Sequence, residues 1–178
     1  MSAYAFEERP ETAHGRLLFQ TLLAIHAMLR RDLAAVQRLA VDVVAGLPAS
    51  GVREGFEALT RDGMLWQFPA SCLRYCGIVH LHHQLEDTHF FDELEGANPE
   101  IRPVVDRLRA EHRAVSDHLE AVEAAARSLS ENDSHDARSA VAAALEVLRQ
   151  HLLAHLDYEE RNIATTARRL PELSSWGW

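Results

Sequence analysis

Four stretches with helical periodicity each place a histidine where the seam is otherwise apolar, and in two of them a glutamate follows one turn later. The residues are His26, His82 with Glu86, His112, and His155 with Glu159. Leu or Val would serve folding better at such positions, because neutral imidazole and above all carboxylate lose hydration when buried and must find partners. Imidazole nitrogen and carboxylate oxygen together suit divalent iron, manganese or zinc, and a carboxylate can bridge two ions. Each His-x-x-x-Glu pair sets both groups on one helical face one turn apart. A single zinc ion needs only four ligands, so six candidates favour a dinuclear centre.

The elements that must position these groups are four long helices. Helix 1 runs from about residue 16 to 45, with a seam of Phe19, Leu22, His26, Leu29, Leu33, Val36, Ala40 and Val43 in steps of three and four. Gly46 to Gly51 ends it with a glycine stop and a proline soon after. The long connection over residues 52 to 68 is expected to carry a short extra helix, since Val52, Phe56 and Leu59 have helical spacing. Helix 2 is expected from Pro69 to about Leu94, with Cys72, Tyr75, Val79, His82, Glu86 and His89 in one seam. Asn98 and Pro99 read as the N-cap and first residue of helix 3, which continues to about Leu129 through Val105, Leu108, His112, Val115, Leu119, Val122 and Ala126. After the polar turn Ser130 to Ser134, helix 4 runs to about Arg168 through Val141, Leu145, Leu148, Leu152, His155 and Glu159. Mostly short joints between long helices imply an all-α, up-down-up-down four-helix bundle.

Alternating direction lets depth along the bundle be compared between helices. At 1.5 Å rise per residue, His26 lies about 15 Å and His112 about 20 Å from their helix starts, while the His82/Glu86 and His155/Glu159 pairs lie roughly 12 to 20 Å from their helix ends. All six fall in one layer near one end, although the seams were assigned from periodicity alone. Tyr75 and His89 share the helix 2 face and are two further candidates, as ligands or as hydrogen-bond partners of ligands. His151, one turn before His155, is a weaker candidate. His80 points away from the seam, His83 and His118 lie to its side, and Asp87 and Glu160 follow ligand candidates directly. These five are expected at the surface or around the ligands rather than among them.

The chain has 178 residues, enough for one domain with a core that needs no disulfides. The domain is expected to span residues 1–178, with the bundle over about 16–168, an N-terminal arm at 1–15 and a tail at 169–178. Arm, helix 2–3 turn and tail emerge at the metal end, where they are placed to gate access. Cys72 and Cys76 sit four apart on one helix, a poor geometry for a disulfide, and read as reduced core thiols. A net charge of −9 disfavours nucleic acid as a partner. No signal segment or membrane-length apolar run is present, so a cytoplasmic protein without membrane attachment is expected.

The set His26, His82-His-Gln-Leu-Glu86-Asp87, His112 and His155-Leu-Asp-Tyr-Glu159-Glu160, together with Ile25 to Asp32 and Phe90-Phe91, resembles the hemerythrin-like, or HHE cation-binding, family over residues 16 to 168. The resemblance implies a four-helix bundle with a non-haem di-iron centre bridged by oxide or hydroxide. It implies His26, His82, Glu86, His112, His155 and Glu159 as ligands, and dioxygen, nitric oxide or peroxide as the small molecules bound. Oxygen-carrying members place two histidines four apart on helix 3, whereas here Ser116 follows His112. That departure favours a sensing, storage or redox role over a plain carrier, with sensing or stress response the expected function. The alternatives are a peroxide-disproportionating or other di-iron oxidoreductase, and a metal-free helical interaction module whose polar layer sets register. A ferritin-like oxidase requires Glu-x-x-His on two helices of the bundle, which these helices do not offer, and no nucleophile elbow supports a hydrolase.

Overall fold

The computed structural model describes residues 6–45 and 57–171, with the side chains of Glu7 and of 57–67 outside the description. Helix α1 spans Ala13–Ala45 and α2 spans Glu57–Leu85. A π-helical turn at Glu86–Phe90 joins α2 to α3, Phe91–Ala97, without a break. A short 3-10 turn, Pro99–Ile101, leads into α4, Arg102–Glu131, and α5 covers His135–Ala167. With α2, the π turn and α3 forming one rod, the described chain is all-α and makes a four-helix bundle.

Pairings across the helices run in opposite senses along the chain, as an up-down-up-down order requires. His26 meets Glu160 and Gln37 meets Glu146 between α1 and α5. Cys76 meets Leu119 and Asp87 meets His112 between the second rod and α4. Local chemistry sets the ends. Thr12 caps α1 by accepting from the Gly15 amide at 2.8 Å, and Ser134 caps α5 by accepting from Ala137 at 3.2 Å. Asn98 caps the 3-10 turn through Glu100, with Pro99 in its first position.

Helix 2 begins earlier than expected. The expected start at Pro69 lies well inside α2. Phe68 and Pro69 are both buried, so packing outweighs the local cost of the proline. Of the connection expected to hold an extra helix, residues 57–68 are the opening turns of α2, and 52–56 lie outside the described residues.

Two apolar clusters fill the bundle. One contains Leu29, Leu33, Cys72, Cys76, Val79, Val115, Leu119, Leu148 and Leu152, and the other Phe19, Leu22, Phe91, Leu94, Leu108 and Ile163. On every rod the histidine layer falls between them: His26 separates Leu22 from Leu29, and His112 separates Leu108 from Val115. Both cysteines are free and buried, and burial pushes each thiol up to about 12. Among the described residues no helix is long and apolar enough to cross a membrane.

Candidate metal centre

Seven side chains from all four rods meet in the layer between the clusters: His26 of α1, His82, His83 and Glu86 of the second rod, His112 of α4, and His155 and Glu159 of α5. All are buried, with His26 and Glu159 fully so. They form two sets. In the first, His26, His82 and Glu86 bring donor atoms within 4.8 Å of one another, and in the second His83, His112 and His155 do the same. The Nε2 atoms of His26 and His82 face each other at 3.1 Å.

The two carboxylates reach between the sets. Oε1 of Glu86 lies 3.3 Å from His82 Nε2 and 3.9 Å from His26 Nε2, while its Oε2 lies 3.5 Å from His112 Nε2. Oε2 of Glu159 lies 3.4 Å from His26 Nε2 and 3.8 Å from His155 Nε2. Each glutamate therefore addresses imidazoles of both sets, Glu86 two of the first and one of the second, Glu159 one of each.

Three outer carboxylates orient three of the imidazoles. Nδ1 of His26 donates to Glu160 at 2.9 Å, Nδ1 of His112 to Asp87 at 2.9 Å, and Nδ1 of His155 to Glu111 at 3.1 Å. Because a carboxylate only accepts, these contacts fix the proton on Nδ1 and turn an Nε2 lone pair toward the centre. Two of the three are themselves held by arginine: Arg30 donates to Glu160 at 2.6 Å, and Arg107 to Glu111 at 2.7 Å.

The electrostatics suit a cation. Burial, with the neighbouring imidazoles adding to it, lowers His26 to about 3 and His82 to about 2 and takes His83 well below the ordinary histidine range. His155 falls to about 4 for the same leading reason. These rings are neutral donors at physiological pH. Burial raises both Glu86 and Glu159, so each carboxylate is disfavoured in its charged form until positive charge stands beside it.

The hydrogen-bond accounting points the same way. Seven buried side-chain atoms among the described residues lack a hydrogen-bond partner: Nε2 of His83, His112 and His155, and both oxygens of Glu86 and of Glu159. Every one belongs to this layer. Orphaned polar atoms normally cost about 1–3 kcal/mol each, so a folded protein keeps such a group for a ligand rather than for stability. Five imidazoles and two carboxylates, with no thiolate, form a donor set fitted to divalent iron, manganese or zinc.

The six residues read from the seams thus come together, and His83 joins them. Its place beside the helix 2 seam predicts a lateral position, but it is 5% exposed and stacks on His112, ring centroids 4.0 Å apart and planes 9° apart. It lies one position past His82, off the seam, and only its packing against His112 and His155 makes it interior. His89 is exposed, for a reason lying in the π turn. That turn inserts one residue, so the buried face steps from Glu86 to Phe91 and Leu94 rather than to His89. Glu86-Asp-Thr-His89 does have the Glu-x-x-His spacing, but the same phase shift carries its histidine away from the layer.

The Tyr75 hydroxyl donates to the Leu29 carbonyl at 3.3 Å, within the larger apolar cluster. Of the segments placed to gate access, the N-terminal arm is tied down, with Thr12 Oγ1 donating to the Leu170 carbonyl at 2.6 Å and Arg169 Nε to the Arg9 carbonyl at 2.7 Å. Residues 1–5 and 172–178 lie outside the described residues.

No curated protein and no solved structure matches the chain. The hemerythrin HHE cation-binding domain model matches residues 17–167, nearly the whole bundle, and the chain belongs to that cation-binding family.

Proposed function

We propose that this protein holds two iron ions joined by a bridging oxide or hydroxide and binds dioxygen or a related small ligand, nitric oxide or peroxide, in a sensing or stress-response role. The observation that carries this reading is the pair of donor sets linked by Glu86 and Glu159. His26 and His82 would hold one ion and His83, His112 and His155 the other, with the two carboxylates shared. Two glutamates offer −2 against the +4 of two divalent ions, which leaves charge for a bridging anion to neutralise.

Iron bound there supplies reversible one-electron chemistry and an affinity for small diatomic ligands. The chain's own residues supply the setting. Apolar layers on both sides exclude water, and the Glu160, Asp87 and Glu111 contacts keep three imidazoles in fixed orientation. The His26 side has two imidazoles where the other has three, so an ion held by His26 and His82 would have fewer protein donors.

Metal analysis of protein purified from its own host tests the reading, with the visible spectrum followed through reduction and return to air. Two irons per chain and a band that disappears on reduction and returns with air are expected. One zinc per chain with no recoverable iron binding would overturn it.

A further inference from the structure

A second pair of imidazoles stands outside the centre. His118 of α4 and His151 of α5 face each other across the α4–α5 seam, with ring centroids 4.2 Å apart and planes tilted by 41°. His118 is half-buried and His151 exposed. The helices that carry them are pinned directly beneath by Val115, Leu119, Leu148 and Leu152, all at most 1% exposed. The two rings are thus held close by a rigid core, not by flexible loops.

We propose that His118 and His151 form an accessory site that captures a divalent transition-metal ion at the surface. Zinc–imidazole bonds are about 2.0–2.1 Å long, so one ion spans two nitrogens about 3–4 Å apart, which is close to the 4.2 Å between these ring centroids. Waters complete the coordination, as the exposed side of the pair allows. Partial burial and the neighbouring His151 both lower the proton affinity of His118, with Asp117 opposing them.

The position gives the pair a role. His151 lies one turn, about 6 Å of rise, before His155 on α5, and His118 lies two turns after Glu111 on α4. Glu111 and His155 are the next contact along the same seam, at 3.1 Å. An ion captured by the pair is therefore held beside the helical edge of the centre, and the pair serves to load it.

The probe is zinc alone, added to iron-replete protein by equilibrium dialysis near neutral pH while iron content is monitored. Wild-type protein should take up one more zinc ion than His118→Ala or His151→Gln. Affinity for that ion should fall about tenfold or more in either variant. His135→Ala, which removes a solitary exposed histidine, should retain it. Equal zinc uptake by wild type and both pair variants overturns the site, whatever metal the centre holds. For the loading role, the rate at which metal-free protein gains iron should fall in His151→Gln with final occupancy unchanged, and an unaltered rate overturns that role.

Discussion

The imidazole of His83 lies flat against that of His112, 4.0 Å between centroids, and its Nε2 is buried without a hydrogen-bond partner. Phe91 stacks on His112 at 5.3 Å, so His112 is held between an imidazole and a phenyl ring. Two consecutive residues of α2, His82 and His83, thereby serve opposite donor sets.

Replacing His83 by Leu keeps the packing volume and removes one nitrogen from the set of His112 and His155. Iron content should fall from two toward one per chain, and the visible spectrum should change. His80→Ala should leave both as they are. Unchanged iron and spectrum in His83→Leu would return His83 to a packing role.

Tyr75 gives the opposite expectation. Its hydroxyl is engaged with the Leu29 carbonyl, and burial raises its pKa far above the ordinary phenol range. Tyr75→Phe should lose about 0.5–1.5 kcal/mol of stability for the hydrogen bond and leave the iron spectrum unchanged. A charge-transfer band in wild-type iron protein that this substitution removes would place the phenolate on the metal instead.

The contrast between these residues shows what the sequence makes legible. The three-four periodicity finds His26, His112, His155 and Glu159 because α1, α4 and α5 are regular helices through the layer. It finds His82 and Glu86 because they precede the point at which the second rod changes pitch. It fails for His89 because the π turn has no sequence signature of its own, and for His83 because the side of a helix becomes interior only where a neighbour leaves space. Asp87 and Glu160 are legible because each directly follows a ligand candidate. Glu111 was not, since its partnership with His155 depends on how α4 and α5 are staggered.

At the end of the bundle nearer the histidine layer, Gly15 marks a close approach that no seam reveals. A Cβ there would stand 2.5 Å from the Ala167 carbonyl oxygen and 2.6 Å from the carbonyl carbon of Arg168, both backbone atoms. Gly15→Ala should push α1 from the end of α5 and cost about 1–3 kcal/mol. For a chain of this size the thermal midpoint should drop about 2–4 °C per kcal/mol. Thr12→Val, which removes the cap and the Leu170 contact, should be destabilising at the same end. An unchanged midpoint in Gly15→Ala would show that the helices separate there without cost.

The metal-free protein should have a stability maximum in mildly acidic solution, because its buried groups titrate in opposed directions. His26, His82 and His155 are lowered in the folded state to about 3, 2 and 4 from the ordinary 6.5. As pH falls below 6.5 the unfolded chain takes up these protons first, so stability is lost on the acid side. Glu159 is raised to about 8 from 4.5, and Glu86 also well upward. Between 4.5 and 8 the unfolded chain gives up those protons first, so stability is lost as pH rises through that window. The two slopes cross near pH 6, where the thermal midpoint should peak. Bound metal pairs with the ionised carboxylates, so the loaded protein should lack the decline between pH 6 and 8. Glu159→Leu should show part of that flattening without metal, since Glu86 keeps its own burial, and a higher midpoint near pH 8, because an unpaired buried carboxylate costs more than an apolar side chain of similar volume. It should also bind iron poorly. A metal-free midpoint that climbs steadily from pH 6 to 8 in the wild type would show that Glu86 and Glu159 are not desolvated as their positions require.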